Sequence, residues 1–388
     1  MSQLLESRWS ETKEALLEGL QGNKRSVMAT TLENTRKYLA ESATAGATSA
    51  GNVATLNRVI LPVIRRVMPT VIANELVGVQ PMTGPVGQIH TLRVRYSDTF
   101  TGTGGNTVAG DEALSPFKIA EGYAGGTSGK AASTAALEGA AGNKLSIQIL
   151  KQTVEAKTRK LSARWTFEAA QDAQAQQGID IEAEIMAALA QEITAEIDQE
   201  VLRSLATLSS TVLTYDQAAV SGTATFVGDE HAALAVQINR AANLIAQRTR
   251  RGAGNWAVVS PTTLTLLQSA TTSAFARTTE GTFEAPTNTK FVGTLNSAMK
   301  VYVNTYAEND NVLVGYKGAS ESDAAAFYCP YIPLMSSGVV LDPATFEPVV
   351  SFMTRYGYVE LTNTASSLGN AADYLATVAV TSANLRFA

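Results

Sequence analysis

The strongest helix signal in this sequence lies in DIEAEIMAALAQEITAEIDQEVLRSL, residues 180–205. An apolar residue recurs at every fourth position from Ile181 to Leu205. Asp180 can cap the N-terminus, and Glu182 and Glu184 lie in the first turn, where the helix dipole favours negative charge. At about 1.5 Å per residue the helix is about 40 Å long. Four residues span about 400° around a helix, which is about 40° more than one full turn. The row of apolar residues therefore winds slowly around the helix axis. Such a helix suits contact with a sheet.

Two segments upstream of this helix alternate apolar and polar residues with the period of two that is typical of strands. The first is His90–Tyr96, and the second carries Leu145, Ile147 and Ile149. The intervening segment, 97–144, is rich in Gly, Ala, Thr and Ser, so the two strands predict a long two-stranded ribbon. Such a ribbon is only marginally stable by itself in water. We therefore expect it to pack against another molecule.

Helices and strands alternate irregularly through the rest of the chain, which predicts an α+β fold. In TVEAKTRKLSARWTF, residues 153–167, the apolar residues change parity near Lys160, which predicts a β-bulge. A helix is predicted at 229–251, and Ser260 with Pro261 marks the start of a shorter one. The buried face predicted for the first helix comprises Leu234, Ile238, Ala241, Ala242 and Ile245. Strands are predicted at NWAVVS (255–260), KVYVNT (300–305), NVLVGY (311–316), AAFYCPY (325–331) and EPVVSFMTRYGYVELT (347–362).

The glycine-rich stretch RRGAGNWAVVSP, residues 250–261, raises the question of a phosphate-binding loop. Such loops lead into the N-terminus of a helix, where free amides and the helix dipole attract anions. Here the order is reversed, because the arginines follow a predicted helix and a strand comes next. Basic residues complement the C-terminal end of a helix dipole, and Gly252 stands where a C-cap glycine belongs. We interpret the stretch as a connector.

Other motifs of enzymes are also incomplete. GYAGGTSGKA, residues 122–131, resembles a P-loop but has alanine in place of the first glycine and of the final Ser or Thr. The only histidines are His90 and His231, and Cys329 is the only cysteine, which we expect to be a buried small side chain. An acidic row on the long helix, comprising Glu192, Glu196, Asp198 and Glu200, is typical of a solvated helix face. We therefore predict no catalytic residue, no cofactor-binding residue, no metal site and no cofactor.

The composition points to a surface that is covered by other molecules. Charged residues make up 17% of the 388 residues, below the roughly 25% of ordinary domains, and the net charge is −5. That charge argues against a nucleic-acid-binding surface as the main purpose, although DNA could be enclosed without specific binding. No signal peptide and no apolar run of membrane-spanning length is visible, so we expect a cytoplasmic chain without a membrane partner.

The N-terminal region changes composition sharply. Residues 1–41 are charged and helix-prone, whereas SATAGATSAGNVATLN, residues 42–57, carries no charge and has the composition of a linker. From Arg58 the chain becomes helical again, and Pro62 and Pro69 predict short or kinked helical pieces there.

Several long blocks together resemble the major capsid protein of T-even-type tailed bacteriophages. The blocks are IRRVMPTVIANELVGVQPMTGPVGQIHTLRVRY (64–96), VEAKTRKLSARWTFEAAQDAQAQQGIDIEAEIMAALAQEI (154–193), RRGAGNWAVVSP (250–261), VLVGYKGASESDAAAFYCPYIPL (312–334) and TRYGYVE (354–360). They occur in the family's order and span residues 58 to about 360. The resemblance implies the tailed-phage major capsid fold, in which a long spine helix supports a peripheral domain.

This resemblance also implies a domain organisation. It assigns 1–41 to an N-terminal segment that could be removed on maturation, 42–85 to an N-terminal arm, 86–152 to an extended loop that reaches a neighbouring subunit, 153–228 to the peripheral domain with its spine helix, 229–345 to an axial domain, and 346–388 to a return to the peripheral domain. The chain is shorter than well-known members that carry an inserted subdomain. Because residues 98–143 hold few apolar side chains, we expect that subdomain to be reduced or missing.

The function implied is that of a structural virion protein, not an enzyme. The chain would be made in the host bacterial cytoplasm and would self-assemble, mainly as hexamers, into an icosahedral or elongated head around packaged double-stranded DNA. Its implied partners are copies of itself within and between capsomers, vertex, portal, scaffold and decoration proteins, and a prohead protease. Two alternatives remain open at this point: the shell protein of an encapsulin-type nanocompartment, and a soluble α+β enzyme.

A proteolytic site is the one residue-level expectation that the resemblance carries. Proteases of such phages cut after a glutamate that has an aliphatic residue two positions before it. LAES, residues 39–42, fits this pattern and places the cut between Glu41 and Ser42, at the change of composition. Glu6 and Glu18 also fit the pattern. The alternative is that residues 1–41 remain as a permanent arm.

Overall fold

A computed structural model describes residues 9, 13–14, 16–17, 22–45, 72–102, 106–111, 113, 122–125, 131–138, 142–177, 180–209, 212–220, 227–249, 251–270, 275–277, 290–296, 298–320, 323–345, 347–361, 371–381, 383 and 385. Its helices are α1 (Gly22–Ala45), α2 (Ala73–Leu76), α3 (Thr134–Leu137), α4 (Phe167–Gln177), α5 (Ile181–Leu208), α6 (Gln217–Val220), α7 (Val227–Thr249) and α8 (Pro261–Ser269). Its strands are β1 (Gly78–Val79), β2 (Val86–Tyr96), β3 (Leu145–Glu155), β4 (Lys157–Arg164), β5 (Val212–Tyr215), β6 (Trp256–Val259), β7 (Phe275–Arg277), β8 (Lys290–Leu295), β9 (Met299–Val303), β10 (Val312–Gly315), β11 (Ala326–Ser336), β12 (Val340–Leu341), β13 (Pro348–Glu360) and β14 (Leu375–Val380). Helices and sheets are mixed, which confirms the α+β class.

The long helix α5 begins where the sequence predicts. The Asp180 side chain accepts a hydrogen bond from the Glu182 backbone N–H at 3.1 Å and so caps the first turn. Buried side chains lie along the helix in two adjacent rows, which are Met186, Ala190, Thr194, Asp198 and Leu202 in one, and Leu189, Ile193, Ile197, Val201 and Leu205 in the other. The helix packs on β4 and β13 of one sheet and on β14 of another. The predicted contact with a sheet is confirmed, and the helix meets different strands along its length.

One sheet is built around β13. This strand pairs antiparallel with β4 along one edge and with β11 and β12 along the other, and β1 adds to β11 in parallel. Alternate residues of β13 point to α5, and Val350, Phe352 and Tyr356 are buried there. The second sheet has seven strands in the order β5-β14-β10-β6-β9-β8-β7, and α7 packs against it. The five residues predicted for the buried face of α7 are all buried.

The structure corrects the predicted bulge near Lys160. The register between β4 and β13 is continuous from Lys157 opposite Tyr356 to Arg164 opposite Val349. The change of parity arises at Ala156, between β3 and β4, where the backbone N–H donates to the Pro85 carbonyl at 2.9 Å. At this residue the chain stops pairing with β2 and begins to pair with β13, so the face of the strand that is buried changes.

The two sheets do not follow the predicted domain boundaries. Strand β11 lies within the range 229–345, yet it pairs with β13 in the sheet beneath α5. Strand β14 lies within 346–388, yet it pairs with β10 and β5 in the seven-stranded sheet. Both sheets are therefore assembled from segments that are far apart in the chain, and pairing of this kind leaves no local trace in the sequence.

The connector after α7 is confirmed, but its glycine has another role than predicted. Arg248 lies in the last turn of α7, and β6 follows the connector. Gly252 is not among the glycines with positive φ. A Cβ at Gly252 would lie 2.6 Å from Cε2 of Tyr316, and one at Gly254 would lie 2.8 Å from Cγ1 of Val314. These glycines are required by close packing instead of by a left-handed helix cap.

The N-terminal helix α1 packs on β11. It buries Val27, Met28, Thr31 and Leu32 against the core beneath α5. It also continues to Ala45, so the first four residues of the predicted linker 42–57 are helical. The rest of that linker, with Pro62 and Pro69, lies outside the described residues.

Candidate assembly surface

Strands β2 and β3 form the predicted two-stranded ribbon. They pair antiparallel in one unbroken register, from Val86 opposite Glu155 to Tyr96 opposite Leu145. Both strands are longer than their alternation indicated, because polar residues occupy both faces near the base. In the part of the chain that the structure describes, these strands pair with each other and belong to neither of the larger sheets.

The outer half of the ribbon carries an apolar strip on one face. The apolar strip consists of Leu145, Ile147 and Ile149, whose exposed fractions are 56%, 68% and 65%. Val94 lies opposite Ile147 in the register but is half-buried, so it is not part of the exposed strip. Complete burial of one Leu or Ile side chain is worth about 1.5–3 kcal/mol, so covering the strip is worth several kcal/mol. In a single copy of the chain the strip stays exposed to solvent, so this stabilisation is not gained.

The base of the ribbon, by contrast, is closely packed. Met82, Val154, Phe327 and Cys329 form a small buried cluster there. A Cβ at Gly357 of β13 would lie 2.4 Å from Cγ1 of Val154, so only glycine lets the ribbon cross β13 this closely. Burial raises the pKa of the Cys329 thiol to about 12. The expectation that Cys329 is a buried small side chain is confirmed.

The far end of the ribbon holds a second small cluster. Tyr96, Ala113 and Tyr123 are buried together, and the rings of Tyr96 and Tyr123 lie 4.6 Å apart between centroids. The Tyr123 hydroxyl donates to the Lys144 carbonyl at 2.6 Å, which ties the loop to the start of β3. Tyr96 thus forms a compact tip with Ala113 and Tyr123 of the intervening segment. The expectation that an inserted subdomain is reduced or missing stays a prediction.

A polar network joins α5 to the sheet beneath it. The Arg159 guanidinium on β4 donates to Glu196 and to Glu200 at 2.6 Å each, and to the hydroxyl of Tyr356 at 2.6 Å. Burial opposes the charge of Arg159, but its bonds to Glu200 and Tyr356 outweigh that effect and raise its pKa. Burial likewise acts to raise the pKa of Glu200, yet its bonds to Tyr356 and Arg159 lower it. The network is a structural link between two elements.

An open groove of about 560 Å³ lies beside this network. Its lining comprises Arg159, Glu196, Gln199, Glu200, Arg203, Ser204, Thr207, Leu208 and Glu360. Two of its carboxylates are paired with Arg159, and Ser204 donates to the third, on Glu360. Each of these three carboxylates therefore already takes part in a hydrogen bond or ion pair within the chain.

The acidic row predicted to be a solvated face is not uniform. Glu192, Glu196 and Glu200 are exposed, but Asp198 is only 1% exposed. One of its carboxylate oxygens accepts from the Ile72 backbone N–H at 2.8 Å, just before α2. Burial raises the pKa of Asp198 to about 7. Asp198 therefore fastens the N-terminal arm to α5, a role that its place in an acidic row conceals.

The remaining site residues of the sequence do not come together. His90 lies on the ribbon, whereas His231 is buried on α7 with its Nδ1 2.5 Å from the Ser269 hydroxyl. Among the described residues, no group of three or more His, Cys, Asp or Glu side chains is placed to hold a metal ion. None of the described helices has the length and apolarity needed to cross a membrane. Glu41 and Ser42 lie within α1, not at its end.

Comparison with known proteins relates the chain to one family. The family model described as major capsid protein Gp23 matches residues 53–382. The major capsid protein of Vibrio phage KVP40 is 31% identical over a match that covers 85% of this chain and 82% of the relative. The major capsid protein of Enterobacteria phage T4 is 30% identical, with 82% and 78% covered.

Solved structures with a similar arrangement were also found. A chain of Mycobacterium phage Bobi matches with a TM-score of 0.47 and 15% identity, over 80% of this chain and 90% of that one. The capsid of Myoviridae phage XM1 matches with a TM-score of 0.44 and 10% identity, over 80% and 92% of the two chains.

Proposed function

Because the chain belongs to the Gp23 family of major capsid proteins, we propose that it builds the shell of a tailed-phage head from many copies of itself. The chain is a structural protein of the virion and not an enzyme, and the matched relatives do not support the encapsulin alternative. One observation supports the proposal from the structure: the ribbon leaves its apolar strip exposed, and a second copy would cover it.

In this proposal the ribbon, together with its tip, is the extended loop that lies on the neighbouring subunit of a capsomer. Its closely packed base fixes the direction in which it leaves the body, while its outer half offers apolar area for docking. Each contact of this kind is modest. Every subunit would dock its ribbon on one neighbour and receive the ribbon of the other, so the contact is repeated at every joint of a closed ring. Hexamers would be the main ring.

The two sheets would then take the two roles of the family. The sheet beneath α5 would form the peripheral domain with the spine helix, and the seven-stranded sheet would form the axial domain near the capsomer centre. This assignment keeps the predicted roles but moves β11 to the peripheral part and β14 to the axial part.

Further partners are implied by a shell of this kind. The head would also contain vertex, portal and scaffold proteins, and decoration proteins would bind its outside. With a net charge of −5, the chain would enclose DNA without binding it specifically. The subunits would be made in the cytoplasm of the host bacterium, and their final place would be the virion.

The N-terminal segment would be removed by a prohead protease between Glu41 and Ser42. Both residues lie within α1, and proteases act most readily on exposed, extended chain, so the last turns of α1 must unwind before they can be cut. Mass spectrometry of purified virions tests this step. A chain that starts at Ser42 supports it, and a peptide that retains Met1 contradicts it.

The shell itself is tested by electron microscopy of the chain expressed with its scaffold protein, for the parent and for Ile147→Lys. We expect the parent to form hexameric arrays or shells. The variant should form at least tenfold fewer particles, because a charge in the apolar strip must be desolvated on docking. Its unassembled form should unfold at the same denaturant concentration as the parent.

The matched control is Gln148→Lys, which places the same charge on the neighbouring exposed residue of the opposite face. It should assemble like the parent. Equal assembly of all three proteins would contradict the docking role of the apolar strip, and a parent that stays a monomer with its scaffold would contradict the shell.

A further inference from the structure

Strand β4 places different side chains on its two faces. Its odd-numbered residues point to α5, where Leu161 and Ala163 pack against the core and Arg159 is paired with two glutamates. Its even-numbered residues point away from α5 and are all exposed, namely Thr158, Lys160, Ser162 and Arg164. The strand therefore carries two cations on a face that α5 does not cover.

The neighbouring strand β13 adds a third cation to this face. Arg355 lies opposite Thr158 in the register, so it is a diagonal neighbour of Lys160. Its guanidinium lies over the ring of Tyr331, 5.3 Å from the centroid. We call the surface formed by Lys160, Arg164 and Arg355 the basic face.

These cations are poorly neutralised within one copy of the chain. Glu347 approaches the Nε of Arg164 at 3.8 Å, and a long ion pair at an exposed arginine contributes little. In the part of the chain that the structure describes, Lys160 and Arg355 form no ion pair, and the Nε of Arg355 is buried without an acceptor. A buried donor without an acceptor is unfavourable, so the basic face favours an anionic partner.

A shallow groove of about 480 Å³ runs beside Lys160 on this face. Its lining includes Ser162 and Ser351, which lie opposite each other in the register, and Met335 and Met353. No acidic side chain is among the described residues that line it. Lysine, arginine and the hydroxyl groups of serine and threonine are groups that proteins use to contact phosphate.

We propose that the basic face contacts the sugar-phosphate backbone of double-stranded DNA inside the head. The inference rests on the proposed shell, because it requires this face to point to the interior. Lys160 and Arg164, four residues apart on a strand, are separated by about 13 Å. Double-stranded DNA carries one negative charge per about 1.7 Å of its axis, so it meets all three cations at once, whereas separate acidic side chains of a second copy do not.

The contact is independent of base sequence. A flat sheet face touches phosphates without entering a groove of the duplex, and phosphate contacts position a protein without reading bases. Three such contacts are weak for one subunit of a chain with a net charge of −5, but a shell repeats them over its whole inner surface. The basic face thus gives the enclosed DNA a surface to lie on.

The affinity of the unassembled, full-length chain for a short labelled DNA duplex tests this contact by fluorescence anisotropy. Lys160→Gln should bind about tenfold more weakly than the parent at about 50 mM salt, and its affinity should depend less steeply on salt, by about one charge. Arg355→Gln should show the same loss, whereas Arg355→Lys keeps the charge and should retain most of the affinity. Unfolding in denaturant checks that each variant is folded.

The matched control is Lys157→Gln, on the same strand but on the other face. Lys157 is exposed, and its charge lowers the pKa of Glu200 on α5. This variant should bind DNA like the parent. A parent without measurable affinity, or an equal loss in Lys160→Gln and Lys157→Gln, would overturn the DNA contact.

A second measurement tests the contact inside the head. Lysine acetylation should modify Lys160 severalfold more slowly in purified heads that are filled with DNA than in heads that have released it. Lys157 should react equally in both. Equal rates for Lys160 would overturn the contact.

Two further outcomes separate this inference from the shell itself. Lys160→Gln with unchanged DNA affinity but failed assembly would overturn the DNA contact in favour of a contact with a second copy. A parent that forms no shell with its scaffold would contradict the proposed function and would leave the affinity measurements intact.

Discussion

The body and the ribbon of this protein treat apolar side chains in opposite ways. In the body, α5 and the two sheets bury their apolar residues so completely that Leu205, Val350 and Val301 have no exposed surface. In the ribbon, Ile147 and Ile149 are mostly exposed although they alternate as regularly as any strand of the body. The difference teaches that a regular apolar pattern identifies a strand but does not tell whether its cover comes from the same chain or from another copy.

The largest expected effect comes from a substitution that destabilises the body and leaves the sequence of the ribbon unchanged. Leu205→Ala removes a fully buried side chain from α5 and should lower the free energy of unfolding by about 3–4 kcal/mol. Denaturant unfolding of the unassembled chain measures it. Thr207→Ala, on the exposed side of the same helix, should change that free energy by less than about 0.5 kcal/mol. A loss below about 1 kcal/mol for Leu205→Ala would mean that α5 does not organise the body.

The second prediction tests how the N-terminal arm is joined to the body. Because burial raises the pKa of Asp198 to about 7, the folded chain binds a proton that the unfolded chain releases near its ordinary value of 3.8. The resulting stabilisation is fully present below about pH 4 and is lost as the pH rises through about 7, in total on the order of 4 kcal/mol.

Asp198→Asn should abolish this part of the pH dependence, because the amide stays neutral and keeps an oxygen that can accept from Ile72. Unfolding curves of parent and variant between pH 4 and 8 measure the difference. Parallel stability profiles for the two proteins would show that Asp198 stays ionised in the folded chain.

The third prediction has the smallest expected effect and tests the contact between the ribbon base and the body. Gly357→Ala would place a Cβ 2.4 Å from Val154 and force the ribbon base away from β13, at a cost of about 2 kcal/mol. Gly84→Ala is the control, because its Cβ would meet its nearest neighbour, the Val86 carbonyl, at 3.9 Å. Thermal unfolding of both variants separates them. Equal midpoints would mean that the ribbon base adjusts freely.

Local periodicity was sufficient to predict most of the elements. The cap at Asp180, the apolar rows of α5, the buried face of α7 and the Ser260–Pro261 start of α8 all depend on residues within a few positions of each other. The exposed strip of the ribbon was also predictable, because alternation without a nearby partner indicates an unpaired face. Its docking on a second copy stays a prediction.

The missed features share one physical cause, since each depends on residues far apart in the chain. Burial of Asp198 requires Ile72, and the tip of the ribbon requires Tyr96 to meet Tyr123. The exchange of β11 and β14 between the expected domains depends on long-range strand pairing, which periodicity does not encode.

One helix resting on both sheets also has a mechanical consequence. A load that tilts one sheet against the other must bend or roll α5, and its buried rows of side chains resist both movements. In a shell under internal pressure, α5 would act as a stiff beam that spreads force across the subunit. Deformation would then concentrate in the joints between subunits, where contacts can slip and re-form without unfolding any chain.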